Sequence, residues 1–404
     1  MIEYGNEIRF LFELLKEETC SNNRRAVFNA LKALKDLISG TLSQDPILLT
    51  IEEPALMGII EGKTDNFIIL IGHIDISCEE LKSHENEYYR VIRLDDDVVV
   101  VGRGVSDMKG GLVSLILTLN SILKRGVKPS INIIYYIMSD EELGSHSVNY
   151  LLEFIKKHDI NSFKGIIAYE PTDVYWYVIG NLNNIGTQLF IMDVYQDMDE
   201  IVNTIKEHVT SWIKETDKYH INSMARNIIK DPRLYEIINT SIKHYSAFLD
   251  YSIAEAFESV LIEVYGYEEL SHERRVMAMD IISLLYNLSD LIGIFRKLKT
   301  QLEFIDDVIL YEYKKFTMTS PSSDLCIGIR RSAWKNLGLG IKPLISPSAG
   351  PEPIFRTMGI PTILYGPGFT INLHSDFEIV SLRNIRLIAR IIEDLIVNWG
   401  LGRG

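Results

Sequence analysis

The sequence predicts an α/β protein with a mostly parallel sheet and helices on both faces, interrupted by an inserted, unusually helical second domain. Short runs rich in Ile and Val alternate with helical patterns from about residue 47 to 170, and the same alternation resumes near residue 316. Such near-continuous apolar strands are typical of parallel sheets that are buried on both faces. Between the two stretches the pattern becomes mainly helical, which predicts an insertion.

The first part of the chain supplies most of the predicted strands. "GGLVSLILTLNSILKRG" at 110–126 predicts a buried helix that ends at a glycine cap, and a second helix is predicted near 144–158. The predicted strands are "ILLTIEEP" at 47–54, "LMGIIEG" at 56–62, "NFIILIG" at 66–72, "DVVVVG" at 97–102, "INIIYYIM" at 131–138 and "KGIIAYE" at 164–170.

The domain boundaries follow from this change of pattern. We predict a catalytic domain in two parts, residues 1–180 and 316–404, around an inserted domain at 181–315. The insertion opens with a predicted strand, "GTQLFIMDV" at 186–194, and then shows three long helical patterns with few Gly or Pro residues. The helical patterns cover 198–215, 233–265 and 273–299.

Charge and composition limit the classes of partner. The formal net charge is −14, which argues against nucleic-acid binding and against binding to anionic membranes. We find no uncharged apolar stretch of about 20 residues that could span a bilayer, and residues 1–20 resemble neither a signal peptide nor a transit peptide. Cys20, Cys78 and Cys326 are far apart and form no CxxC motif, so neither a disulfide framework nor a thiolate zinc site is expected. The sequence therefore predicts a soluble, cytoplasmic protein.

Polar side chains with metal-ligand chemistry follow the predicted strands. In an open parallel sheet, functional groups gather at the carboxyl ends of the strands. A lone histidine or acidic pair at such a place is usually structural, but several sites that each follow an apolar strand make coincidence improbable. The residues at these positions are His73, Asp75, Asp107, Asp140, Glu141, Glu142, Glu170 and His374.

Two histidines and several carboxylates, without thiolates, suit divalent cations with mixed nitrogen and oxygen ligands. There are too many acids for one tetrahedral ion, but enough for two ions that share a bridging carboxylate. We expect two zinc ions, with cobalt or manganese as alternatives. Bound cations would also offset the repulsion among the adjacent acids Asp140, Glu141 and Glu142.

The motifs "GHIDIS", "GRGVSDMKGG", "SDEELGS", "YEPT" and "GIPTILYGPG…LHSDFE" resemble, in order and spacing, those of the dinuclear zinc peptidases and deacylases. That family includes carboxypeptidase G, aminoacylase, acetylornithine deacetylase and succinyl-diaminopimelate desuccinylase. The resemblance covers roughly residues 60–180 and 320–400. It implies hydrolysis of an amide bond by metal-activated water.

The resemblance also implies a role for each site residue. Asp107 would bridge the two metals, His73 and Glu170 would complete one site, and Glu142 and His374 the other. Asp75 would orient the His73 ring. Glu141 would be the general base that takes the proton of the attacking water and returns it to the leaving amine. Asp140 is expected to be structural.

The sequence departs from the family in two places. The insertion lacks the "HSxxP" stretch whose histidine reaches the partner's site in the family, and the candidate substitutes are His208, His220, His244 and His272. The family's "GGTDAR" stretch is here "SPSAGPEPIFR" at 346–356, where Glu352 and Arg356 are candidate substitutes for the missing groups.

Two functions follow as hypotheses. The first is a metal-dependent amidohydrolase or peptidase that acts on an N-acyl amino acid or a short peptide, with a homodimer implied by the resemblance alone. The second is a catalytically impaired metal-binding scaffold or binding protein derived from this family, which the altered insertion suggests. Metal binding without turnover would distinguish the second from the first.

Overall fold

The computed structural model describes residues 6–42, 45–50, 53–78, 89–126, 128–192, 197–216, 230–247, 256, 261–271, 274–284 and 288–400. The chain forms two compact units. The first comprises Met1–Ile179, Thr319–Pro343 and Gly350–Gly404, and the second comprises Gly180–Met318 and Leu344–Ala349. The domain boundaries given above stay a prediction.

Helices and strands alternate in the first half of the chain, as the sequence predicts. The helices are α1 (Asn6–Leu15), α2 (Arg24–Leu42), α3 (Gly110–Lys124) and α4 (Val148–Lys156). The strands are β1 (Ile47–Leu49), β2 (Ala55–Ile60), β3 (Phe67–His73), β4 (Arg90–Arg93), β5 (Val98–Val101), β6 (Asn132–Met138), β7 (Phe163–Pro171), β8 (Trp176–Asn181) and β9 (Asn183–Met192).

The second half contains the remaining described elements. The helices are α5 (Met198–Thr216), α6 (Pro232–Ser246), α7 (Leu288–Gln301), α8 (Asp324–Leu337), α9 (Glu352–Thr357) and α10 (Leu382–Val397). The strands are β10 (Leu261–Ser271), β11 (Arg274–Ser283), β12 (Ile305–Lys314), β13 (Thr317–Met318), β14 (Lys342–Ser346), β15 (Thr362–Gly366) and β16 (Ile379–Ser381).

A large sheet forms the core of the first unit and confirms the predicted α/β class. Its strand order is β1-β2-β6-β3-β7-β15-β8-β13, with β14 paired to β8. The central strands β6, β3, β7 and β15 are parallel, and antiparallel pairs flank them. Residues 68–73 of β3 are all buried, which explains why this strand is apolar on both faces. The parallel arrangement brings the carboxyl ends of β3, β7 and β15 to one edge.

A small antiparallel sheet positions the loop after β5. Its order is β16-β5-β4, and Ile379 of β16 pairs with Val101 of β5. Helix α3 begins after this loop and packs on α10, where Ser114 and Thr118 donate hydroxyl hydrogen bonds to backbone carbonyls of α10. The pairing of β16 with β5 holds residue 378 beside residue 102.

The second unit contains more strand than the sequence predicts. Its antiparallel sheet has the order β10-β11-β9-β12. The predicted strand at 186–194 and helix at 198–215 correspond to β9 and α5. The helical predictions for 233–265 and 273–299 are wrong for residues 261–265 and 274–283, which belong to β10 and β11. Met277, Met279 and Ile281 are buried at alternate positions, which is the two-residue period of a strand. Apolar residues there also recur at helical spacing, and pairing with β9 decides between the two.

A disulfide joins Cys20 and Cys78, so the expectation of unpaired cysteines is wrong for these two residues. They are separated by 58 residues in the sequence, which is why their spacing indicates nothing. They become neighbours because residue 20 forms a parallel β-bridge with Ile76, just after β3. Cys326 is a buried free thiol.

No described helix is both long enough and apolar enough to cross a membrane.

Candidate metal and active site

Strand β3 ends at His73, whose imidazole is fully buried. The Nδ1 atom is 2.9 Å from the backbone carbonyl oxygen of Asp75 and 3.3 Å from its Oδ1 atom. The Nε2 atom faces Oδ1 of Asp107 at 3.0 Å and Oε1 of Glu170 at 3.7 Å. A histidine that is oriented through one ring nitrogen, with the other among carboxylates, is the usual arrangement of a metal ligand.

Asp107 lies in the tight loop that follows β5. This loop requires a glycine at position 104. The φ angle of Gly104 is +74°, and a Cβ atom on this residue would lie 2.5 Å from Cγ2 of Ile76. The two carboxylate oxygens of Asp107 face different rings. Oδ1 is 3.0 Å from Nε2 of His73, and Oδ2 is 3.4 Å from Nε2 of His374. One carboxylate therefore lies between two imidazoles.

The three consecutive acids after β6 have different surroundings. Asp140 is buried and accepts hydrogen bonds from the backbone N–H and the hydroxyl of Ser147, which agrees with a structural role. Glu141 and Glu142 form a short 3-10 turn whose backbone N–H groups donate to the carboxylate of Asp75, at 3.2 and 3.1 Å. Asp75 thus contacts both the His73 ring and the turn that carries the other two acids.

His374 follows β15 and completes the cluster. Its Nε2 atom is 3.4 Å from Oδ2 of Asp107 and 3.4 Å from Oε2 of Glu142. One donor atom from each of His73, Asp107 and Glu142 lies within 4.8 Å of the others. The structure therefore brings the predicted ligand residues together: His73, Asp107, Glu142, Glu170 and His374.

Burial and the close approach of like charges shift the pKa values of the carboxylates in the cluster. Burial, together with the charge of Asp107, raises the pKa of Glu142 to about 9. Burial also raises the pKa of Glu170 to about 8. The hydrogen bond with Asp107 raises the pKa of His374 to about 10, although burial opposes this. Burial opposes ionisation of Asp107 too, but hydrogen bonds with His374 and His73 hold its pKa below the usual range. Bound protons or cations would relieve the repulsion among these carboxylates.

The donor set fits divalent cations. Two imidazoles and three carboxylates converge without a thiolate, which suits zinc, cobalt or manganese. Asp107 supplies the carboxylate that faces both rings. The residues present therefore fit the cations that the sequence predicts.

Glu378 is a site residue that the sequence analysis missed. It is buried, and its carboxylate accepts backbone hydrogen bonds from Ser106, Asp107 and His374, each at 3.1 Å. It is the last residue of the motif "LHSDFE", in which only His374 was assigned a role. Its place in that motif, four residues after His374, is the signal that could have indicated it.

Arg103 is a second residue that the sequence did not single out. Its Nη1 atom donates to the backbone carbonyls of His374 and Ser77, at 2.8 and 3.0 Å. Its Nε atom contacts Oδ1 of Asp376 at 3.0 Å. Arg103 thereby holds the segment around His374 against the segment that follows β3.

The stretch that departs from the family pattern lies against the predicted general base. Glu352 is buried and accepts a hydrogen bond from the N–H of Gly350 at 2.9 Å. A Cβ atom at Gly350 would lie 2.4 Å from Oε1 of Glu141 and 3.0 Å from Oε1 of Glu352. Arg356, the other candidate substitute, donates from Nε to the carbonyl of Thr362 at 3.1 Å. The carboxylates of Glu352 and Glu141 thus both lie next to Gly350.

The candidate histidines of the insertion have structural surroundings where they are described. His208 lies on α5, with its ring 5.7 Å from the ring of Trp212. His244 is buried on α6, and burial lowers its pKa to about 4. His220 and His272 lie outside the described residues.

The α/β body and the converging imidazoles and carboxylates indicate a candidate metal-dependent enzyme. The chain belongs to peptidase family M20/M25/M40, whose family model matches residues 69–398.

Curated relatives match shorter segments. A probable succinyl-diaminopimelate desuccinylase of Staphylococcus aureus is 28% identical over 167 residues, which are 41% of this chain and 40% of the relative. The succinyl-diaminopimelate desuccinylase of Helicobacter hepaticus is 34% identical over 107 residues, 26% of each chain. The matches therefore span less than half the length of these relatives.

Solved structures match over nearly the whole chain and show the shared fold. An M20 family metallo-carboxypeptidase from Sulfolobus solfataricus has a TM-score of 0.73 at 17% identity, covering 98% of this chain and 99% of that chain. Human carnosine dipeptidase 1 has a TM-score of 0.71 at 14% identity, covering 97% and 95%.

Proposed function

We propose that the protein is a metal-dependent amidohydrolase or peptidase that cleaves the amide bond of an N-acyl amino acid or a short peptide. The observation that carries the proposal is the carboxylate of Asp107, whose two oxygens face the two imidazoles of His73 and His374. The names of the relatives, which include desuccinylases and a dipeptidase, support the substrate class.

We propose two divalent cations, with zinc as the expected metal. His73, Asp107 and Glu170 would hold one, and Asp107, Glu142 and His374 would hold the other. When bound, such cations polarise a carbonyl group and lower the pKa of water toward neutrality.

The chain's own residues would supply orientation and proton transfer. Asp75 would keep the His73 ring in place through Nδ1, and its contacts with the backbone of Glu141 and Glu142 would hold these acids at the site. Glu141 would accept a proton from the attacking water and pass it to the nitrogen of the leaving amine. The amide C–N bond then breaks, and the products are a carboxylate and an amine.

The test is hydrolysis of a panel of N-acetyl amino acids, N-succinyl amino acids and dipeptides by zinc- and cobalt-loaded protein. Glu141→Gln should lower kcat by about 10²–10⁴-fold, because an amide cannot accept the proton. Glu153→Gln, an exposed acid on α4, is the matched control and should keep wild-type activity.

The same experiment separates the two hypotheses when the bound metal is counted. Turnover that collapses in Glu141→Gln supports the hydrolase. Two metals per chain without turnover on any substrate would contradict it and favour the metal-binding scaffold, which the altered stretch at 346–356 suggests.

The remaining assignments are also proposals. We propose small-molecule substrates without a nucleic-acid or membrane partner, on the basis of the acidic charge of −14. A homodimer is proposed from the family resemblance. We propose the cytoplasm from the sequence alone. The Cys20–Cys78 disulfide is the structural observation that argues against it. Disulfides are typical of oxidising compartments, although intracellular proteins of hyperthermophiles also contain them.

A further inference from the structure

One buried carboxylate connects the two chain segments that carry Asp107 and His374. Glu378 is 1% exposed. Its Oε2 atom accepts the backbone N–H groups of Ser106 and Asp107, each at 3.1 Å. Its Oε1 atom accepts the N–H of His374, also at 3.1 Å. The two oxygens therefore accept hydrogen bonds from two segments, around residues 106–107 and around residue 374. These segments are far apart in the sequence and meet at the candidate metal site.

The strand that follows Glu378 holds it in this position. The carbonyl of Glu378 accepts the N–H of Gly102 at 3.0 Å, and the next residue, Ile379, pairs with Val101 in the small antiparallel sheet. The backbone is thus fixed beside the loop after β5, and the side chain is directed at the two amides of that loop. This arrangement is specific, because a shift of one residue would direct the next side chain to the opposite face.

The chemistry of these contacts requires a carboxylate. All three partners are N–H donors, and an ionised carboxylate has two oxygens that only accept. A glutamine of the same size has one accepting oxygen and one donating NH₂ group. Its NH₂ group would have to face an N–H donor, so either the loop of Asp107 or the amide of His374 would lose its acceptor.

We infer that Glu378 is a positioning residue for the metal centre, an inference that rests on the proposed metal site. Both of its oxygens are engaged by backbone amides, so it acts through Asp107 and His374 and does not ligate. Through these backbone contacts, Glu378 fixes the position of the Asp107 carboxylate relative to the His374 ring. Outer partners that orient ligands in this way typically change metal affinity or activity by about 10–100-fold when they are lost.

The test measures metal binding directly, so that it does not depend on turnover. Zinc dissociation constants of full-length wild-type protein and Glu378→Gln are measured by competition with a chromogenic chelator. The visible absorption of the cobalt-loaded forms is recorded at saturation. We expect zinc to bind Glu378→Gln about 10–100-fold more weakly, at both sites if the Asp107 loop is disturbed and at the His374 site if that amide is, and we expect the cobalt spectrum to change.

The matched control is Glu393→Gln. Glu393 is a buried acid on α10, where it pairs with Arg125 at 2.6 Å. This variant removes a buried carboxylate charge that pairs with the half-exposed Arg125, so it matches the loss of charge in Glu378→Gln at a place away from the metal centre. It should keep the wild-type zinc affinity and cobalt spectrum, because neither Glu393 nor Arg125 contacts a ligand residue. The control separates the loss of a buried charge from an effect on the metal centre.

The possible results are distinguishable. Folded Glu378→Gln with wild-type affinity and an unchanged cobalt spectrum overturns the inference. If Glu378→Gln does not fold, Glu378→Asp replaces it. Aspartate keeps the charge but is one methylene too short to reach both segments, and wild-type zinc binding by that variant overturns the inference as well. Wild-type protein that binds no metal overturns the proposed function, and this inference with it.

Discussion

Replacing Gly350 by alanine should displace the carboxylate of Glu141, the proposed general base. The added methyl group would lie 2.4 Å from Oε1 of Glu141, whereas ordinary contact begins at 3.4 Å. The oxygen must therefore move by about 1 Å. It is the end of a flexible side chain, so the movement costs the folded state little.

The catalytic cost should be much larger, because proton transfer depends on geometry. Misplacement of a reacting group by about 1 Å can lower the rate by about 10²-fold. That factor corresponds to about 2.7 kcal/mol of activation free energy. We therefore expect kcat of Gly350→Ala to fall about 100-fold on any amide that the wild-type protein hydrolyses.

The assay is steady-state hydrolysis with metal content and thermal unfolding measured in parallel. Gly340→Ala is the matched control, because a Cβ atom there would meet nothing within 4 Å. It should match the wild type in all three measurements. Two results would refute this reasoning. One is a kcat of Gly350→Ala within about threefold of the wild-type value, and the other is a loss of activity that occurs only together with a loss of bound metal. Either would show that displacing Glu141 does not by itself impair proton transfer.

Two further predictions concern stability. Reduction of the Cys20–Cys78 disulfide, which closes a loop of 58 residues, should lower the free energy of unfolding by about 4 kcal/mol in the loop-entropy model. Thermal unfolding with and without reductant measures this loss of stability. A reductant effect that persists in Cys20→Ser would contradict the Cys20–Cys78 disulfide as its cause. Burial lowers the pKa of His244 to about 4, whereas an unfolded histidine titrates near about 6.5. The unfolded state then binds the proton more tightly, so the contribution to stability is present above about pH 6.5 and is lost as the pH falls toward about 4. His244→Phe should show a weaker loss of stability over this range in denaturant unfolding, and identical pH profiles for the variant and the wild type would refute the reasoning.

The sequence by itself determined the central sheet and the residues of the candidate site. Strands buried on both faces must be apolar throughout, as β3 is, so a polar residue at the end of such a strand is conspicuous. His73 and Glu170 were recognisable for this reason, whereas Asp107 follows a strand of the small antiparallel sheet and was recognised from its motif. The structure brings all five predicted ligands together: His73, Asp107, Glu142, Glu170 and His374. Their assigned roles remain proposals that the experiments above test.

Only the tertiary structure decided the features that depend on distant partners. The segment 274–283 has apolar residues at both helical and strand spacing, and its pairing with β9 makes it a strand. Cys20 and Cys78 meet because a β-bridge brings residue 20 to Ile76. Glu378 looks like an ordinary acid before a helix until its carboxylate is seen to accept amides from two separate segments. Local sequence patterns report periodicity and side-chain type, whereas these contacts arise from residues that approach one another only when the whole sheet has formed.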